Sequence, residues 1–387
     1  MKKRIDDIEV LRAFAVILVI VEHMHFNLFA WNTPALESFY RYFGGWTGVD
    51  LFFAISGFVI ARDLVPRLRG AGDRQAYVGV TLVFWVRRCW RLLPSAWTWL
   101  AIILLASVFF NRSGAWGSVT NNVEMVVAAA LQIANFHVAR VFGEAFSGAA
   151  FVYWSLSLEE QFYLLLPLLV FVSRGKLPLL LAALVIPQLF LQRDTALLAL
   201  VRTDALFLGV LLALWQQYPS YRLFRPRFLR HPAASVAAVL LLVGALALVG
   251  APGLEIIEYG YALVTCLAGL LVFIASHDQD YFARPRWLRA PLLWVGTRSY
   301  ALYLIHIPSY FLTREIWLRL EPAGTRFNAA YTWEFLATAL VLLLALSELN
   351  YRVLEVPLRR RGVAIAQKME TRRLAARAAA AAASSPA

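Results

Sequence analysis

The sequence predicts an all-α integral membrane protein of about ten crossings, on three observations. Of its 387 residues, 60% are hydrophobic and only 16% are charged, whereas soluble chains are about 45–50% apolar and about a quarter charged. A soluble chain of this length has too little interior for that surplus, because cores stop growing and chains split into domains. The apolar residues fall in runs long enough to cross hydrocarbon, and the basic residues cluster between the runs as topology signals do.

In chain order the expected spans are 8–29, 47–62, 94–110, 157–173, 177–192, 203–216, 233–250, 260–276, 291–311 and 331–350. The first follows Met-Lys-Lys-Arg, but it carries Glu22, His23 and His25 and is too long for a cleaved leader, so it reads as a retained span. The stretch 123–138 is short and ends in Gln132, Asn135 and His137, which suits a re-entrant or interfacial segment better than a crossing. Charge placement supports this choice. With both termini cytoplasmic, 27 of the 37 Lys and Arg residues fall inside. Eight fall outside (Arg41, Arg112, Arg140, Arg193, Arg202, Arg314, Arg319 and Arg326), and Arg12 and Arg298 lie within helix ends. A full crossing at 123–138 would destroy that asymmetry. Residues 1–362 therefore form a membrane domain, and 363–387 an Ala/Arg-rich cytoplasmic tail expected as a frayed helix or disordered segment. The net charge of +13 is distributed as topology signals rather than as a nucleic-acid-binding face. Cys89 and Cys266 lack metal-ligand spacing, and no disulfide is expected between them.

Ionisable groups inside spans are costly and mark function by default. Arg12 and His23 are eleven residues apart, which places them on one helix face about 16 Å apart along the axis. A neutral imidazole takes a hydroxyl proton near pH 7, so His23 suits a general base or acyl acceptor; the plainer alternative is a packing histidine. Arg12 either shares that chemistry or snorkels to the inner edge, while Glu22 and His25 occupy other faces. Arg88 and Arg91 point to one side of a helix. With Arg87 they read as a phosphate clamp or as basic residues flanking a crossing. Asp50 suits positioning of a donor or acceptor group, and Gly57 suits close helix packing. Ser157 and Glu160 have capping-box spacing, which leaves Glu159, one turn before Tyr163, to orient a histidine or bind an acceptor hydroxyl. Ser299, Tyr303 and His306 share a face of the ninth span. Arg202 and Asp204 open the sixth as a surface pair or an acceptor site.

Glu9-Val-Leu-Arg12, followed after ten residues by His23, resembles the opening motif of the membrane acyltransferase-3 family, the O-acyltransferases that decorate bacterial glycans. Gly48-Val-Asp-Leu-Phe-Phe-Ala-Ile-Ser-Gly-Phe58, Arg87-Arg-Cys-Trp-Arg-Leu-Leu-Pro94 and Trp154-Ser-Leu-Ser-Leu-Glu-Glu-Gln-Phe-Tyr163 resemble its next motifs in order. Gly296-Thr-Arg-Ser-Tyr-Ala-Leu-Tyr-Leu-Ile-His306 and the stretch from Tyr351 to Glu355-Val-Pro357 resemble the closing ones, so the resemblance runs from about 5 to 360. Glu9-Val10 stands where the family usually has Asp-Gly, and the extracytoplasmic esterase-like domain of some members is not expected. The resemblance implies transfer of an acyl group, acetyl in the first instance, from cytoplasmic acyl-CoA to a hydroxyl of a glycan or glycoside. It implies Arg87, Arg88, Arg91 and Ser56 on the donor side, and His23, Glu159 and Arg12 in catalysis. It leaves Asp50, Tyr163, Tyr303, His306 and Arg202 for the substrate, with no metal, in the cytoplasmic membrane of a bacterium. The rival readings are a proton-coupled transporter, since intramembrane His, Glu and Arg also mark relays, and a scaffold in glycan export.

Overall fold

The computed structural model describes residues 4–143, 147–254, 259–283 and 286–383, and it is all-helical, with no strand among the described residues. Lys2, Lys3, Arg284 and the closing Ser-Ser-Pro-Ala of the tail lie outside them.

Helix α1 (Asp6–Glu22) opens the chain and is buried along most of its length. The expected first span ran on to residue 29, but the helix stops at His23, and Phe26 then adopts a left-handed φ of 61°. The Asn27 amide bonds the freed carbonyl of His23 at 2.9 Å, which holds the break. Short helices α2 (Met24–Asn27) and α3 (Pro34–Arg41) lead into α4 (Thr47–Arg69). Helix α5 (Arg74–Phe109) runs 36 residues straight through Pro94, whereas the sequence placed a crossing only from 94. Its first half, with the three arginines, is amphipathic rather than apolar, which hides it from a hydropathy count.

The 123–138 stretch forms two helices, α6 (Val119–Ala130) and α7 (Ala134–Val141), broken at Gln132 with a φ of 59°. At about 1.5 Å per residue neither is long enough to cross. Next come α8 (Tyr153–Val172), α9 (Leu177–Leu189), α10 (Ala196–Leu200), α11 (Asp204–Trp215), α12 (Pro219–Leu223), α13 (Pro232–Val249) and α14 (Gly260–Ala275). The ninth expected span divides at Arg298 into α15 (Arg286–Thr297) and α16 (Ser299–Leu320). Helix α17 (Thr332–Asn350) passes through a π-turn at Tyr351–Glu355 into α18 (Val356–Ala383). Far from fraying at 363, α18 lies along α5: Arg373 donates to the Ala76 carbonyl at 2.9 Å, and a Cβ on Gly362 would stand 2.3 Å from Cβ of Trp90.

Among the described residues five stretches are long and apolar enough to cross a membrane: Arg74–Phe109, Tyr153–Val172, Ala196–Trp215, Pro232–Val249 and Ala329–Ala375. The other expected spans fall on α1, α4, α9, α14 and α16, which are shorter or carry charge. Among these, α1, α4 and α16 form the buried centre. Helix α4 meets α11 at its closest, where a Cβ on Gly57 would lie 2.0 Å from the Leu206 carbonyl oxygen and one on Gly209 would lie 2.2 Å from that of Ala54. Small residues let two backbones approach in this way where lipid supplies no hydrophobic drive.

Candidate active site

A cavity lies between α1, α4, α5, α8 and α16. Its walls follow helical spacing: Ser155, Glu159 and Tyr163 on α8, Phe52, Ser56 and Val59 on α4, Ser299 and Tyr303 on α16. Arg12, Arg88 and Arg91 complete it. Eight residues singled out in the sequence thus converge: Arg12, Ser56, Arg88, Arg91, Glu159, Tyr163, Ser299 and Tyr303.

Their partners define the chemistry. The Glu159 carboxylate accepts hydrogen bonds from the Ser56 and Tyr163 hydroxyls, which hold it on the cavity wall. It touches no histidine, so the expected histidine-orienting role is not what the geometry builds. Glu160 caps nothing. Helix α8 begins at Tyr153, a turn earlier than the capping-box reading required, and Glu160 Oε1 is buried without a hydrogen-bond partner. Ser157 instead accepts from the Ala134 amide of the broken pair at 3.2 Å. Arg88 spreads over the Tyr163 ring, 5.3 Å from its centroid. Among the described residues neither Arg88 nor Arg91 is within 4 Å of a carboxylate oxygen, while Arg12 pairs with Glu9 at 3.1 Å. Two guanidinium groups that face the cavity without a direct ion pair can hold an anion, with Glu159 the one carboxylate among the described residues lining the same wall.

At the cavity floor the Tyr303 hydroxyl is shared with Ser155 at 2.7 Å, and one helical turn beyond it lie the two histidines. His306 is wholly buried. Its Nδ1 stands 2.7 Å from the Tyr303 carbonyl oxygen. A carbonyl only accepts, so Nδ1 carries the proton and Nε2 of the neutral ring is an acceptor. That Nε2 is 2.9 Å from Nδ1 of His23, which is therefore the donor. The lone pair of His23 is left on Nε2, and no hydrogen bond among the described residues engages it. A backbone carbonyl thus dictates, through His306, which nitrogen of His23 can accept a proton. His306 was expected at the substrate; it orients its partner instead.

Three expected site residues lie elsewhere. Asp50 and Arg202 form a bidentate pair, 2.7 Å on both contacts, buried under the rings of Trp46, Trp154 and Tyr261. Each neutralises the other, so neither is free for substrate. Asp204 is not Arg202's surface partner; it takes Arg193 at 2.6 Å and the Thr265 hydroxyl at 3.0 Å. Arg87 points out of the cavity, 3.9 Å from Glu370 on α18. His25 stacks on Tyr40 away from His23. Sequence reasoning missed Ser155 and Tyr300, although Ser155 lies four residues before Glu159, a spacing that places it on the same face. Both cysteines are unpaired, and no cluster of metal-ligating side chains occurs among the described residues.

A cavity bordered by arginines that lack a direct ion pair, next to a histidine of fixed tautomer, is an arrangement that can serve group transfer. The family model described as an acyltransferase domain, acyltransferase 3, matches residues 5–347, and the chain belongs to that family. It is 28% identical over 385 residues to the peptidoglycan O-acetyltransferase OatA of Listeria monocytogenes, covering 93% of this chain and 57% of that protein. It is 27% identical over 373 residues to the O-acetyltransferase OatA of Staphylococcus aureus, covering 91% and 57% respectively. The chain therefore spans little more than half the length of these relatives. No solved structure matches it.

Proposed function

We propose that this protein is an O-acyltransferase of the bacterial cytoplasmic membrane that moves an acyl group, acetyl in the first instance, from cytoplasmic acyl-CoA to a glycan or glycoside hydroxyl. The observation that carries this reading is the cavity itself, which starts at Arg88 and Arg91, neither of them in a direct ion pair, and ends one helical turn from the histidine pair. The names of the two relatives supply the acetyl group and the class of acceptor. An acyl-CoA fits this lining, since its phosphates need guanidinium partners and its thin arm suits the apolar walls of α4 and α16. The thioester supplies an activated acyl group when bound. The chain's own part is to hold the donor's phosphates with Arg88, Arg91 and Arg12 and to take the acceptor's hydroxyl proton on His23 Nε2 as the hydroxyl oxygen bonds the acyl carbon; the C–S bond then breaks, and CoA leaves as the thiol with that proton. His306 keeps Nδ1 of His23 occupied, and Glu159, held by Ser56 and Tyr163, offers the remaining acceptor on the wall. Ten crossings with both termini in the cytoplasm put the arginines inside and the histidines in the outer half, so the acyl group reaches an acceptor outside. The proton-coupled carrier is the reading that membership of an acyltransferase family leaves without support.

Equilibrium binding of CoA to the purified protein in nanodiscs, alongside transfer from radiolabelled acetyl-CoA, tests this. Arg88→Ala and Arg91→Ala should each weaken CoA binding about ten- to a hundredfold, the loss of a charge-assisted contact of about 1.5–3 kcal/mol. Lysine should restore only part. His23→Ala should bind CoA normally and transfer nothing. Normal CoA binding by both alanine variants would return the arginines to topology signals and remove the donor reading.

A further inference from the structure

The inner cavity opens, through shared walls at Arg12, Val59, Arg91, Ser299 and Tyr300, into a second and larger cleft of about 1510 Å³ at the N-terminal end of α1. One side of this cleft is built by α18. Arg359, Val363 and Gln367 line it four residues apart, and Arg360 and Ala364 line it beside them, so one continuous face of that helix is turned inward. The cleft's charge is lopsided. Arg4, Arg12, Arg62, Arg91, Arg359 and Arg360 border it against only two carboxylates, Glu9 and Glu355. Glu9 is already taken by Arg4 at 3.2 Å and Arg12 at 3.1 Å. Glu355 is buried one turn before Arg359. Arg360 makes no ion pair or hydrogen bond among the described residues. Tyr300 and Tyr351 add aromatic surface to the same lining.

We propose that this cleft is the docking site for the phosphate-bearing nucleotide end of the acyl donor, and that Arg359 and Arg360 supply its phosphate contacts. The inference rests on the donor reading above but concerns residues beyond the family match, which ends at 347. The geometry favours a long ligand with a charged head. The ribose phosphate meets Arg359 and Arg360 at the basic mouth, an aromatic base has Tyr300 and Tyr351 beside it, and the diphosphate lies at Arg91, where the cleft joins the inner cavity that takes the arm. From Arg12 to His23 along α1 is about 16 Å, so the head must stay at the mouth while the arm reaches inward. Gly362 seats α18 against Trp90 at this level, which makes the helix a wall of the cleft. Phosphate could also arrive on an anionic lipid headgroup, so the test separates the two sources.

The test compares binding of CoA and of pantetheine, which lacks the nucleotide and its phosphates, to the full-length protein in phosphatidylcholine nanodiscs. Glutamine replaces arginine to keep α18 helical, and thermal melts verify folding. The double variant Arg359→Gln/Arg360→Gln should lose at least tenfold in CoA affinity and nothing for pantetheine. Arg361→Gln, on the exposed side of the same helix, should bind both as the unsubstituted protein does. Equal loss for both ligands would mean a structural role, and no loss for CoA would mean no role; either overturns the proposal while leaving the donor reading standing. An unsubstituted protein that does not bind CoA at all removes both. A third arm adds phosphatidylglycerol. If this lipid lowers CoA affinity only when both arginines are present, and the double variant binds CoA normally in phosphatidylcholine, the arginines serve lipid and the proposal falls.

Discussion

The histidine pair shows how much a single backbone atom can decide. Neutral imidazole has one proton and two nitrogens, and which nitrogen is basic follows from the neighbour of the other. Here the chain of dependence runs from the Tyr303 carbonyl through His306 to His23. Removing the middle member leaves His23 free to protonate either nitrogen and to rotate. His306→Leu should therefore slow acyl transfer about 10- to 100-fold, the range for losing a hydrogen-bond partner of a functional histidine, with CoA affinity unchanged. His306→Gln, whose amide can bond both the carbonyl and His23, should recover part of the rate. Nitrogen-15 spectra of the labelled protein read the cause directly: His23 Nε2 should appear unprotonated in the unsubstituted protein and mixed in His306→Leu. A protonated Nε2 before substitution, or full turnover in His306→Leu, would break the argument. Little of this was legible in sequence. That the two histidines lie at one level of the bundle was; the contact between residues 283 apart was not, because no local pattern encodes it. The same holds for Asp50 and Arg202, 152 residues apart, which looked like two substrate ligands and are one buried ion pair.

At the scale of elements, patterning located the helices and misjudged their ends. Hydropathy found α13 because its surface is apolar all round, and α8 and α17 because a long apolar run outweighs their few charges. It shortened α5, whose first half carries Arg74, Arg87, Arg88 and Arg91 and is covered by α18. It ran α1 past His23, because Met24, Phe26, Leu28 and Phe29 carry the apolar run on beyond the break. The Ser157–Glu160 spacing imitated a helix start inside a helix. Gly57 was legible as a packing position; its counterpart Gly209 was not, since the α4–α11 crossing pairs segments far apart in sequence. That crossing carries a prediction. The Cβ of Gly57→Ala would stand 2.0 Å from the Leu206 carbonyl oxygen, against backbone that cannot swing aside. The helices must part, at a cost of about 1–3 kcal/mol, as for other overpacked sites. Gly244→Ala on α13 meets nothing within 4 Å and should leave stability unchanged or raised. Thermal melts of matched nanodisc samples compare them. Equal melting of the two variants would mean that the crossing tolerates a methyl group and that its closeness is not what fixes α4.

For the whole molecule the question is which end faces which side, and the packing groups the relevant residues before any membrane is considered. Asp6 receives Arg289 at 3.0 Å, and its amide bonds Asp278 at 3.0 Å. Asp7 accepts from the amides of Gln279, Tyr281 and Phe282. The 277–283 loop is thus tied to the start of α1, and His277 lies against Tyr221, only four residues before Arg225. Arg67, at the end of α4, faces Glu370 on α18, and Arg373 faces Ala76. Residues 6, 70, 225, 289 and 375 therefore belong to one end of the bundle. At the other end lie the His23 break and the 111–118 loop, whose Arg112 and Ser113 amides bond Glu315 at 2.9 and 2.8 Å. The first group carries most of the basic clusters, so the positive-inside rule predicts a cytoplasmic position for it. Cysteines placed one at a time at 70, 225 and 375 should then label only with reagent on the cytoplasmic side, and one at 120 only from outside. Labelling of 225 from outside would mean that α6 and α7 together cross the membrane. It would also carry the α13 and α14 ends to the wrong side, which the bonds between Asp7 and the 277–283 loop do not permit while α1 stays where it is. The outcome at 225 thus bears on the topology and on the α1 end of the bundle together.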